Sequence, residues 1–238
     1  GVFPHPGPVT SLSFHPGGRH LVSAAADGTV RLWQLPPRPL RGFQGTVNAI
    51  GYAPDGKLLA VAGRDVQLWD VSDPWSPRPV GQPLTNPTGY SATVSFTPDG
   101  RTLAVGGREG KLWLWDLSRP DRAVPYGEPL PGGTGTIQSA AFDRTGRILA
   151  VGSEGRTVRL WNTADPAHPQ LSAELSEPTN YVYSVAFSPD GRWLAAGTVD
   201  KQVLLWRLPR GGGRPVPEST LRGPGSYVMS VAFSPDSK

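Results

Sequence analysis

The sequence predicts an all-β protein built from repeated four-stranded antiparallel sheets, and three regularities predict it. The turn aromatics Phe14, Tyr52, Phe96, Phe142, Phe187 and Phe233 follow one another at 38, 44, 46, 45 and 46 residues, the period of propeller blades. Trp33, Trp115, Trp161 and Trp206 each stand 19 residues after their aromatic, whereas Trp69 stands 17 after Tyr52; the second repeat must therefore contain a hairpin shortened by two residues. Three turns read Pro-Asp-Gly, at 54–56, 98–100 and 189–191, where Pro presets φ and Gly accepts a positive one.

Each element has its own reason. The strand entering each turn alternates small and bulky side chains, as a strand with two unlike faces should. Ser11 and Ser13, Ala49 and Gly51, Thr93 and Ser95, Ser184 and Ala186, and Ser230 and Ala232 make a flat side. Leu12 and Phe14, Ile50 and Tyr52, Val94 and Phe96, Val185 and Phe187, and Val231 and Phe233 make a ridged side. A flat face stacks on the ridged face of a copy, so both faces are expected to be buried and neighbouring sheets to share a core. The Pro-rich stretches Leu35-Pro36-Pro37 and Asp73-Pro74-Trp75-Ser76-Pro77 suit connections and outer edge strands, because Pro cannot donate to a ladder. The repeats run approximately over 4–42, 43–85, 86–131, 132–176 and 177–222, with a partial sixth over 223–238, in a single domain spanning 1–238. Five repeats and part of a sixth predict a segment of a larger ring of about seven blades, with closure incomplete or strained in this segment.

The phrases Phe187-Ser188-Pro189-Asp190-Gly191 and Phe233-Ser234-Pro235-Asp236, with Trp69-Asp70 and Trp115-Asp116 at strand ends, resemble the WD40 repeat over nearly the whole chain. The connecting stretches 73–84 and 119–130 are similar to those of WD40 arrays attached to bacterial signalling ATPases or kinases. The resemblance implies a WD40-type β-propeller that serves as a non-catalytic interaction scaffold or sensor region of a larger regulatory protein. It also implies a polar brace in the first repeat, where His5, Ser23, Asp27 and Trp33 match the family's network. Asp27 would accept from the imidazole, the imidazole would meet the Ser23 hydroxyl, and Ser23 would accept from the Trp33 indole. Later repeats depart from this pattern. The histidine position holds Phe43, Pro87, Gly133, Pro178 and Pro224, and the serine position holds Val61, Val105, Val151 and Ala196. The aspartate survives as Asp200, with Glu109 a partial substitute. Four of the five blades are thus expected to rely on apolar packing and loop prolines.

Composition narrows the function. The 238 residues hold no run of 18 apolar residues and open on no signal peptide, so membrane insertion is not indicated and a cytoplasmic location is expected. The absence of Cys removes disulfide and thiol chemistry. Of the 23 basic residues 19 are Arg, against 19 acidic residues; they are spread among the repeats as a solvated rim, whereas nucleic-acid binding needs them clustered on one face. With four histidines, His5, His15, His20 and His168, convergent metal ligands are not expected. The one plausible Ser-His-Asp set is the structural brace, so no cofactor and no catalytic residues are expected.

Function is then expected at one end of the sheets. In an antiparallel blade the start of the first strand and the turn between the second and third strands lie together, here called the upper end. WD40 proteins commonly bind peptides or protein domains there, and the matching positions include Thr10, Asn48, Tyr90, Gln138, Tyr181, Tyr183, Tyr227 and Met229, with the turn residue Arg108. Four of the six tyrosines fall in this set, and Tyr and Met favour interface hot spots. The alternative, from another class, is a propeller that binds a small ligand or hydrolyses a bond in its central channel, which needs convergent carboxylates with shifted pKa values. Trp113 and Leu204, on third strands where other repeats carry Arg31, Gln67 or Arg159, mark a competing lateral contact or a surface covered by the fourth strand. Trp75 is a further exposed anchor.

Overall fold

The computed structural model describes residues 7–17, 21–33, 38–40, 45–73, 75–85, 89–209, 213–223 and 225–237. His5, His20, Phe43, Pro87 and Pro224 lie outside the described residues. Among the described residues there is no α-helix, and the strands form five antiparallel sheets in chain order. The first contains β1 (Val9–Phe14), β2 (Leu21–Ala25), β3 (Val30–Trp33) and β4 (Arg38–Leu40). The second contains β5 (Ala49–Tyr52), β6 (Leu58–Ala62), β7 (Val66–Asp70) and β8 (Arg78–Leu84). The third is β9 (Ser91–Phe96), β10 (Thr102–Gly107) and β11 (Lys111–Asp116), edged by β12 (Val124–Pro125) and β13 (Leu130–Pro131), which both pair with β11. The fourth is β14 (Ile137–Phe142), β15 (Ile148–Ser153), β16 (Val158–Asn162) and β17 (Gln170–Leu175). The fifth is β18 (Val182–Phe187), β19 (Trp193–Thr198), β20 (Gln202–Arg207) and β21 (Val216–Arg222).

One cross-strand row explains the aromatic-to-tryptophan spacing. Leu21 sits between Phe14 and Trp33, Leu59 between Tyr52 and Trp69, Leu149 between Phe142 and Trp161, and Leu194 between Phe187 and Trp206. The residue separation is thus the length of two hairpins returning to one row, and the second-repeat deficit falls in its upper turn. That turn is only Gly63-Arg64-Asp65, between β6 and β7. The lower turns close as the Pro-Asp-Gly phrases require: Gly56 donates to Ala53, Gly100 to Thr97 and Gly191 to Ser188, at 2.8–2.9 Å, with each Gly φ near +70°. The fourth repeat lacks that phrase, and the Asp143 carboxylate substitutes by accepting from Thr145 Oγ1 and from the Arg147 and Ile148 amides.

By compactness the chain divides into two units: 1–105 with 115–125, and 106–114 with 126–238. In the first unit, Val22, Ala24, Val30 and Leu32 of the first sheet pack against Ile50, Leu59 and Val61 of the second, with Tyr52 and Trp69 at the margin. Burial raises the Tyr52 phenol well above its ordinary pKa. In the second unit, Ala150, Val158 and Leu160 of the fourth sheet pack against Val182, Val185, Leu194, Leu204 and Trp206 of the fifth. Leu204 is buried in that shared core, so it offers no lateral contact. Trp113 is half-buried and Trp75 is exposed.

The flat faces are more than small. Ser11 Oγ accepts the Ile50 amide, Ser139 Oγ the Val185 amide and Ser184 Oγ the Val231 amide. Each serine on the first strand of one sheet satisfies a backbone N–H that begins the next, a group that would otherwise be buried without a partner. The second sheet has Ala49 at this position, and there the Asn48 carboxamide donates to Ser91 O at 3.0 Å instead. Residues 225–237 also join the fifth sheet through Val228 N to Thr198 O and, in the opposite sense, Asp190 N to Ser237 Oγ, without forming a ladder.

The expectation that every ridged face is buried fails in the first sheet. Leu12 is 59% and Phe14 71% exposed, while the corresponding Ile50 and Val185 are buried. The reason is geometric: Ile50 packs against Val22, Ala24, Val30 and Leu32 of the first sheet, and Val182 and Val185 against Ala150, Val158 and Leu160 of the fourth, whereas no described sheet precedes β1.

Candidate functional site

The upper end is shaped by interruptions of the β1, β14 and β18 ladders. Register shifts fall between Val9 and Ser11, between Ile137 and Ser139, and between Val182 and Ser184. The extra residues are Thr10, Gln138 and Tyr183, three of the positions expected to bind a partner. A bulged residue leaves the ladder and its side chain is re-aimed.

The polar groups there are mostly committed to the fold. Thr10 Oγ1 lies 2.6 Å from Val47 O and 3.2 Å from Ala24 O, so its one proton serves the backbone. Gln138 Nε2 donates to Glu154 Oε1, and Glu154 Oε2 accepts the Thr136 amide, both at 3.0 Å. Asp200 accepts from the hydroxyls of Thr179 and Thr198. Burial pushes the Asp200 carboxyl up, but those two hydroxyls outweigh it and hold the group below its ordinary pKa.

The aromatic positions are different. Tyr181 is exposed and Tyr183 half-buried, while Tyr227 and Met229 are 57% and 61% exposed. Arg108 is exposed in the tight turn before β11. Arg108, Gln138, Tyr181, Tyr183, Tyr227 and Met229 belong to the second unit, whereas Thr10, Asn48 and Tyr90 belong to the first. In the first unit Asn48 and Tyr90 come together around a hollow of about 630 Å³, also lined by Gly45, Thr46, Gly63, Arg64 and Gly89.

In the first sheet Trp33 Nε1 donates to Ser23 Oγ at 2.6 Å, and Asp27 Oδ1 accepts the Thr29 amide and hydroxyl. The fifth repeat keeps a polar upper turn by other means, because Thr198, two residues beyond the serine position, supplies the hydroxyl to Asp200. That corrects the expectation that this repeat relies on apolar packing and loop prolines. The signal was the Thr-Val-Asp run at 198–200, which looks like an unrelated turn when only the serine position is compared. Arg64 was also missed, because the shortened turn removes the alignment that would have pointed to it. Among the described residues no three His, Asp or Glu side chains group as metal ligands, and no helix is long and apolar enough to cross a membrane.

Comparison with known families matches a model described as "WD domain, G-beta repeat" to residues 1–34, 36–70, 81–116, 127–162 and 169–207, which together are more than half of the chain. The chain belongs to the WD40-repeat family. Its fold class is the all-β propeller, and each four-stranded sheet is one WD40 blade. The chain is 41% identical over 76 residues to the Periodic tryptophan protein 2 homolog of Schizosaccharomyces pombe, covering 29% of this chain and 9% of that protein. It is 38% identical over 72 residues to the Pre-mRNA-processing factor 19 homolog 2 of Arabidopsis thaliana, covering 29% and 13%. It is 36% identical over 77 residues to the Small ribosomal subunit protein RACK1y of Oryza sativa subsp. japonica, covering 29% and 23%. The match spans less than a quarter of the length of each of these relatives. All three relatives are eukaryotic, so they add nothing to the expected likeness to bacterial arrays.

Proposed function

We propose that this WD40 chain is a non-catalytic scaffold region that binds an extended peptide or a protein domain with its upper loops, as part of a larger regulatory protein. The observation that carries the reading is the contrast at the upper end between committed polar groups and uncommitted aromatic ones. Tyr181, Tyr227 and Met229 present apolar surface at a place where a soluble chain gains nothing from exposing it, and Tyr183 sits on a bulge beside them. Large side chains with few rotatable bonds lose little entropy on binding. The relatives' names set two of them in pre-mRNA processing and the small ribosomal subunit, and assemblies of that kind suit a scaffold.

Among the described residues, the upper carboxylates do not favour the channel alternative. A hydrolytic site needs a carboxyl with a raised pKa or a free pair, and the upper carboxylates of Glu154 and Asp200 are held as hydrogen-bond acceptors. Measuring retention of the chain on an immobilised array of randomised peptides tests the scaffold reading. The variant Tyr181→Ala with Tyr183→Ala should lose retention by about a factor of ten or more while its far-UV circular dichroism and melting stay those of the parent. Undiminished retention would refute the site.

A further inference from the structure

Arg64 stands at the tip of the upper turn that is two residues shorter than its counterparts, and the shortening has two consequences. It draws the turn in so closely that a Cβ on Gly63 would lie 2.8 Å from Thr46 O. It also leaves the hollow of about 630 Å³ between the turn and the residues leading into β5 and β9. Glycine forms much of the lining: among the described residues, a Cβ on Gly45 or on Gly89 would meet no atom within 4 Å.

The charge in this hollow is uncompensated. Arg64 is exposed and forms no ion pair with any described carboxylate, and no residue lining the hollow is acidic. Three other arginines do pair: Arg159 with Glu174 at 2.6 Å, Arg192 with Asp190 and Arg207 with Glu218. Asp65, next in sequence, gives its backbone oxygen to the Gly63 amide and is not part of the lining.

We infer that this hollow is the seat for an acidic side chain, Asp or Glu, of a bound peptide, with Arg64 as its specificity-determining residue. The inference rests on the peptide-binding reading above. A guanidinium offers two parallel N–H donors at the spacing of a carboxylate's oxygens. The Asn48 carboxamide, its N–H₂ tied to Ser91 O, fixes one wall, and the Tyr90 ring forms another. One arginine suits a singly charged carboxylate, whereas a phosphate dianion is held by arginine clusters.

The test uses the full chain and four pools of short randomised peptides that differ only in a fixed central residue: Glu, Gln, Lys or phosphoserine. The parent should retain the Glu pool roughly fivefold to tenfold better than the Gln pool, and the preference should shrink as salt is raised. Arg64→Gln should equalise Glu and Gln, and Arg64→Lys should keep part of the preference. Equal retention of Glu and Gln by the parent overturns the acidic seat while leaving peptide binding intact, as does a Glu preference that survives Arg64→Gln. Stronger retention of phosphoserine overturns the carboxylate assignment. Failure of every pool to bind overturns the peptide-binding reading and this inference with it.

Discussion

Trp33 and Trp161 occupy the same place in their sheets, yet only one of them has an acceptor within reach. Ser23 takes the Trp33 indole proton, while the residue at the position of Ser23 in the fourth repeat is Val151, and Trp161 Nε1 is buried with no hydrogen-bond partner. Removing the hydroxyl in Ser23→Ala should cost about 1–3 kcal/mol, the penalty of stranding a buried donor. Val151→Thr keeps the shape and offers Trp161 an acceptor, so the cost of burying the hydroxyl should be offset to within about 1 kcal/mol. Urea unfolding of both variants checks the pair, and a larger loss for Val151→Thr than for Ser23→Ala would contradict it. The lower turns carry a pH-sensitive counterpart. The Thr97 hydroxyl donates to Asp99 at 2.6 Å and holds its carboxyl below the ordinary pKa. A depressed folded pKa contributes stability that is complete above the unfolded value, about 3.9, and disappears as pH falls through the folded value. Thr97→Val should therefore raise the Asp99 titration in carboxyl-detected NMR. The stability gap between parent and variant should narrow below about pH 4.

The strands, their turns and their order follow from local chemistry, and for that reason they were legible. Alternation of side-chain size, Pro-Asp-Gly at the lower turns and a Trp at a fixed distance are all properties of one sheet. What joins one sheet to the next was legible only in part. Ser11 and Ser184 were recognisable as small residues on a flat face, but not as acceptors for Ile50 and Val231, since an unsatisfied N–H in the neighbouring sheet leaves no mark in sequence spacing. Asn48 illustrates the same limit: its expected place as a partner contact gave no sign that its carboxamide also donates to Ser91 O of the next blade. Ser139→Ala and Ser184→Ala should each lower stability by about 1–2 kcal/mol. Hydrogen exchange should speed up at Val185 in the first variant and at Val231 in the second, and unchanged exchange would mean that these amides have other acceptors. The shortened upper turn makes a steric demand of the same kind. Gly63→Ala should cost about 1–3 kcal/mol, because the new methyl meets a backbone oxygen rather than a side chain that can move aside.

Across the whole molecule, equal sequence does not mean equal burial, because a repeat's stability is its own plus that of its neighbouring interfaces. Phe14 and Phe187 hold the same position in their repeats, each opposite a leucine in the row that ends in Trp. Phe187 packs against the core shared by the fourth and fifth sheets, whereas Phe14 is 71% exposed beside an exposed Leu12. The sequence pattern is blind to this difference, since periodicity reports which face a residue is on and not whether another sheet covers that face. Phe187→Ala should cost about 2–4 kcal/mol in the second unit, through lost contacts and the space left behind. Phe14→Ala should change stability by no more than about 0.5 kcal/mol. Because the chain divides into two units, a single melting curve would blend their responses, and amide exchange read separately in the first and fourth-to-fifth sheets resolves them. Faster exchange confined to β15, β18 and β19 is the expected result for Phe187→Ala, with no change in β2 or β3 for Phe14→Ala. If Phe14→Ala instead opens the first sheet as strongly, the Phe14 ring is covered in solution and the exposure of that face is not a property of the folded chain.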